Sequence, residues 1–116
     1  MPVRSLNSSV LKWPTLKEML EAVSAWAREI ARKNSQVLRV GLFGSYARGN
    51  WGVGSDVDIV IIVRETVLPF ERRSIEFDSE NLPVPADILV YTVQEWQRKD
   101  IQNLFARQGI LWVFER

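Results

Sequence analysis

The chain contains neither cysteine nor histidine. Without cysteine there are no disulfides, thiolate nucleophiles or cysteine-bound zinc and iron–sulfur centres. Without histidine there is no Ser-His-Asp or Cys-His mechanism, and the commonest transition-metal ligand is missing. Any bound metal must be held by oxygen, which selects magnesium or manganese. An excess of one charge is also lacking. The 15 basic and 14 acidic residues leave a formal charge of +1, without the broad positive footprint of a nucleic-acid binder. Nucleic acid is therefore not expected as a direct ligand. The longest apolar run, Ile59 to Val63, is far shorter than the roughly 20 residues that cross a bilayer. Residues 1–13 carry no signal-peptide core, so no membrane is expected and a cytoplasmic location is the default.

What is present fits one ordinary domain. Its 116 residues are 47% hydrophobic and 25% charged, the balance of a globular protein with a single core. We expect one domain over residues 1–116, with 1–13 as a loose arm because no hydrophobic period is visible there. So small a domain has little area for a deep substrate pocket. For a large substrate, a partner chain or a dimer interface is expected to supply part of the site.

Thr15 and Glu18 form a capping-box pattern. Leu16, Met19, Leu20, Val23, Trp26, Ala27 and Ile30 then recur at helical spacing. Val37 to Phe43 reads as a strand, followed by Gly44-Ser45 and a short helical turn. The glycine-rich loop 49–54 leads into a second strand from about Ser55 to Val63. Residues 70–77 read as a short helix or irregular segment, and 81–85 as loop. Ala86 to Tyr91 reads as a third strand. Thr92 and Glu95 make a second capping box for one helix that buries Val93, Trp96, Ile101, Leu104 and Phe105, with Gly109 as its C-cap. Ile110 to Phe114 closes as a fourth strand. This order describes a mixed α/β (α+β) domain, about four strands flanked by helices.

Asp56 and Asp58 draw attention first. On a strand, residues two apart share a face at roughly 6.5 Å, and two carboxylates so placed repel each other. Asp58 leads directly into Ile59-Val60-Ile61-Ile62-Val63, the kind of run found in strands buried on both faces. Carboxylates at the mouth of such a strand need a partner, and a divalent ion supplies one. Gly44-Ser45 is the second element. Glycine after a strand allows a sharp turn and close backbone approach, the following N–H groups favour anions, and Arg48 can reach the same phosphates.

The stretch GLFGSYARGNWGVGSDVDIVIIV resembles the nucleotidyltransferase superfamily that includes DNA polymerase beta, whose signature is Gly-Ser, a short gap and Asp-x-Asp. GSYARG followed by SDVDIVI is similar in particular to the minimal nucleotidyltransferases (MNT proteins) of bacteria and archaea. The resemblance implies a small nucleotidyltransferase fold in which Gly44 and Ser45 hold the β- and γ-phosphates of a nucleoside triphosphate. It implies that Asp56 and Asp58 bind two Mg2+ ions (or Mn2+). It also implies a third carboxylate on a later strand, for which Asp87 is the candidate. Glu76, Asp78 and Glu80 are alternatives in an irregular segment. The implied reaction transfers a nucleoside monophosphate, AMP from ATP, to a hydroxyl of a macromolecular acceptor. MNT proteins often accompany HEPN-domain proteins as toxin–antitoxin pairs, so a HEPN-type partner is implied too. Two other readings stay open: a non-catalytic binding subunit, and transfer to a small molecule such as an antibiotic. Trp26, Trp96 and Trp112 read as packing residues. For Trp51 a loop anchor is favoured over a nucleobase stack, and Arg72-Arg73 reads as a pair of surface charges.

Overall fold

The computed structural model describes residues 13–116, so the expected loose arm falls outside the described residues except for Trp13. Helix α1 spans Leu16–Lys33 and begins as its sequence predicts. The Glu18 N–H donates to Thr15 Oγ1 at 3.1 Å, and the Thr15 N–H donates to Glu18 Oε1 at 2.9 Å. Its buried stripe is Met19, Val23, Trp26, Ala27 and Ala31, and the Asn34 N–H closes the last turn on the Ile30 carbonyl. No helix among the described residues is long and apolar enough to cross a membrane.

Strand β1 (Val37–Phe43) is followed by a short helix, α2 (Gly44–Arg48), and then by β2 (Val57–Val63). A 3-10 helix covers Phe70–Glu76 and precedes β3 (Ala86–Thr92), α3 (Val93–Trp96), α4 (Lys99–Phe105) and β4 (Leu111–Glu115). The sheet order is β3-β2-β1-β4. The β2–β3 pair is parallel, and β1 is antiparallel to both β2 and β4. This is the mixed α+β architecture expected from the element order.

β2 is the strand buried on both faces. Val57, Ile59, Ile61 and Val63 pack with α1, whereas Val60 and Ile62 face a second cluster with Tyr91 and Phe105. That double burial explains why its apolar run does not alternate.

The single helix expected after Thr92 is two helices, broken at Gln97-Arg98. Packing accounts for the break. The Trp96 and Phe105 rings sit 5.1 Å apart over the sheet, whereas nine residues of straight helix would carry them roughly 13 Å along its axis. Two consequences differ from expectation. Leu104 is 55% exposed rather than internal. Gly109 does adopt a positive φ of 65°, but α4 ends at Phe105, so the glycine turns the chain into β4 instead of capping the helix.

Arg73 corrects another expectation, for it is buried. Its guanidinium donates to Glu95 Oε1 at 2.6 Å and Oε2 at 3.1 Å, and also to the Leu68 and Val90 carbonyls. Glu95 is at the same time the reciprocal partner of Thr92 in the second capping box. One ion pair thus ties the 3-10 helix to β3 and α3. Glu95→Ala should cost about 2–3 kcal/mol, the low end for breaking a buried pair because Glu95 is partly exposed. Thermal melting should fall by roughly 10–20 °C for a domain of this size. The hydrogen bond from Arg73 holds the Glu95 carboxyl below its ordinary value. Its stabilisation is therefore complete above the unfolded glutamate pKa and lost as pH falls through the depressed folded value. Acid titration of stability should be shallower in Glu95→Ala than in the wild type.

Candidate active site

Gly44 follows β1 and opens α2 with φ at 75°, in the left-handed region. A Cβ built there would stand 2.0 Å from Asp58 Oδ2. The carboxylate therefore occupies the space that only glycine leaves open, and the position needs glycine for its backbone and for its neighbour alike. The N-cap residue of α2, Phe43, makes no side-chain cap bond, and the first N–H groups of a helix lack intrahelical partners and favour anions. Ser45 follows, half-buried. Its carbonyl accepts the Asn50 N–H at 3.1 Å, and Gly49 ends the turn at φ 80°.

Strand register brings two of the expected carboxylates together. Asp58 pairs with Phe43 on β1 and with Asp87 on β3. Neighbouring strands lie about 4.8 Å apart and opposed residues share a face. Asp58 and Asp87 therefore stand side by side on the face that also carries Val60 and Ile62. Asp56 differs from expectation in one respect: β2 begins at Val57, so Asp56 lies in the loop before the strand. Strand geometry therefore does not set its side chain on the face of Asp58. It is nevertheless close enough to act on Asp58. Burial pushes the Asp58 carboxyl above its ordinary value, Asp87 and then Asp56 push it further, and Arg48 opposes them.

Arg48 is exposed, and its Nη1 donates to Gln108 Oε1 at 3.1 Å across the loop after α4. The alternative carboxylates lie elsewhere. Glu76 and Asp78 line a cleft with Trp26 and Lys33 on the α1 side of the sheet, and the Asp78 side chain accepts the Glu80 N–H. Trp51 stacks on Tyr46, with ring centroids 5.2 Å apart and planes 7° apart, which is the loop anchor favoured from sequence. Sequence reasoning did not find Gln108 or Trp13, whose indole N–H donates to the Ser55 carbonyl at 3.1 Å. Both act through contacts between distant chain segments, and no local pattern announces them.

The donor set suits a hard divalent cation: oxygen alone, three carboxylates, and one of them raised by burial and by the other two. Asp56, Asp58 and Asp87 are the residues that could hold it. Among the described residues the three do not form a closed ligand cluster.

The chain as a whole resembles known proteins. Residues 24–110 match the model described as a nucleotidyltransferase domain. A Methanocaldococcus jannaschii protein named "Putative protein adenylyltransferase MJ0141" is 35% identical over 74 residues, spanning 63% of this chain and 75% of that protein. A crystal structure described as a "putative nucleotidyltransferase" from Sulfolobus solfataricus superposes with a TM-score of 0.65 at 20% identity. It covers 87% of this chain and 84% of the other, and shows a shared fold.

Proposed function

The chain belongs to the nucleotidyltransferase domain family, and we propose that it moves AMP from ATP onto a hydroxyl of a protein acceptor, using divalent cations held by Asp56, Asp58 and Asp87. The observation that carries this reading is the placement of Asp58 between Gly44 and Asp87. One carboxylate touches the phosphate-binding turn and faces a second carboxylate across the β2–β3 ladder.

In this reading the backbone N–H groups after Gly44 and the Ser45 hydroxyl hold the β- and γ-phosphates, and Arg48 adds a positive charge beside them. The acceptor oxygen bonds to the α-phosphorus while the bond to the pyrophosphate oxygen breaks. Asp87, exposed beside Asp58 at the start of β3, accepts the hydroxyl proton. Divalent cations of the kind this family uses, bound there, would neutralise charge on both the entering and the leaving oxygens. Positioning and neutralisation supply most of the catalysis in phosphoryl chemistry, so a chain without histidine can perform it.

AMP and a protein acceptor are supported by the name of the Methanocaldococcus jannaschii relative. A HEPN-type partner, with this chain as its antitoxin, follows from the resemblance of GSYARG and SDVDIVI to MNT proteins. The test is incubation with magnesium, ATP labelled at the α-phosphate and a co-purified HEPN-type partner. Label on the partner, lost on chelation of the metal, is the expected result. Stable complex formation without label transfer from any nucleotide would replace the enzymatic reading with that of a binding subunit.

A further inference from the structure

The loop that carries Asp56 has no regular structure of its own. It contains Gly49 and Gly54 at φ 80° and 91°, and Val53 at its tip is 69% exposed. Such a loop needs pinning from outside if Asp56 is to hold one position. The pins come from the entry to α1. Trp13 Nε1 donates to the Ser55 carbonyl at 3.1 Å, one residue before Asp56, across 42 positions of sequence. Tyr46, fully buried and next to Ser45, donates its hydroxyl to the Pro14 carbonyl at 3.0 Å across 32 positions.

Two further contacts close the path. Trp51 lies flat on the Tyr46 ring. Ser55 folds back on Gly52, its Oγ accepting the Gly52 N–H at 2.8 Å and its own N–H donating to the Gly52 carbonyl at 2.9 Å. The contacts thus run from Trp13 through Ser55, Gly52, Trp51 and Tyr46 back to Pro14. We propose that Trp13-Pro14 is a positioning clip that holds the phosphate-binding turn and the acidic loop in one fixed relation. The inference rests on the reading of Gly44-Ser45 and Asp56 given above. Its importance follows from geometry, since displacing a positioned group by about 1 Å can cost roughly a hundredfold in rate.

Single-bond deletions test it. Trp13→Phe keeps an aromatic ring packed against the core and removes the indole donor with part of the ring, a loss of bulk that the control below shares, and Tyr46→Phe removes only the hydroxyl. Trp26→Phe is the control, because Trp26 Nε1 makes the same kind of bond to the Asp78 carbonyl at 2.8 Å, on the other side of the sheet from the site. MgATP affinity should weaken by about five- to tenfold in Trp13→Phe and Tyr46→Phe, the worth of one hydrogen bond, and should hold in Trp26→Phe. Amide exchange in the nucleotide-free protein should accelerate across the circuit: at Gly49 and Asn50 in Trp13→Phe, and at Ser55 and Val57 in Tyr46→Phe. A Trp13→Phe variant that matches Trp26→Phe in both readouts overturns the clip and leaves an ordinary packing residue. Wild-type protein that fails to bind MgATP overturns the nucleotide reading instead. The cross-circuit exchange then decides the clip by itself: its presence supports the clip, and its absence overturns it.

Discussion

Asp58→Asn should reduce nucleotide transfer by roughly a thousandfold, the upper range for removing one group that stabilises transition-state charge, without destabilising the fold. The two halves of this result have one cause. Asp58 is raised above its ordinary value by burial, Asp87 and Asp56, so its ionisation opposes folding. For a group shifted upward, the stability it contributes is complete below its unfolded pKa and is lost as pH rises through its folded value. The neutral amide avoids that loss. In metal-free protein, Asp58→Asn should melt at or above the wild-type temperature, with the gap widening as pH rises from the unfolded aspartate pKa through the raised folded value. Magnesium should then raise the melting temperature of the wild type and not of the variant, since a ligand stabilises only what it binds. Undiminished transfer by Asp58→Asn, measured with ATP labelled at the α-phosphate, would sink the assignment.

Gly44→Ala should damage stability and transfer together. Its φ of 75° costs about 1–2 kcal/mol for a residue with a Cβ, and the new methyl would stand 2.0 Å from Asp58 Oδ2. The carboxylate must therefore move. We expect melting to fall by about 5–15 °C and transfer by roughly a hundredfold or more. Gly49→Ala separates the two effects. Gly49 has a similar φ of 80°, but a Cβ there meets nothing within 4 Å. It should lose comparable stability from backbone strain while keeping transfer near the wild-type rate. Equal loss of transfer in both variants would show that strain in the turn, and not the position of Asp58, limits the reaction.

The parts of the structure legible in the sequence are those governed by local rules. Both capping boxes, Thr15–Glu18 and Thr92–Glu95, form with reciprocal bonds, because their partners lie three residues apart. The four strands lie close to where apolar runs and glycines place them. β2 is buried on both faces, as its unbroken run requires. The errors fall where distant segments meet. Arg73 reads as a surface charge beside Arg72, yet it is buried because Glu95, 22 positions away, supplies its counter-charge. The helix after Thr92 reads as continuous, yet it breaks so that Trp96 and Phe105 can pack together. Asp56 reads as a strand residue, and it lies in the loop before β2.

The sequence by itself pointed to the family, excluded cysteine and histidine as ligands or nucleophiles, and picked out Gly44, Ser45, Asp56, Asp58 and Asp87 as the residues to examine. All but Asp87 rest on residue type and short spacing, which the chain carries without being folded; Asp87 follows from the family resemblance, which implies a third carboxylate on a later strand. Tertiary structure decided the rest. Parallel pairing of β2 with β3 sets Asp87 beside Asp58, a relation across 29 positions that no local period encodes. Close approach of β2 to the end of β1 puts the Asp58 carboxylate against Gly44, and the entry to α1 pins the loop that bears Asp56. Register and long-range hydrogen bonds are properties of the packed sheet, so they exist only once hydrophobic burial has brought these segments together.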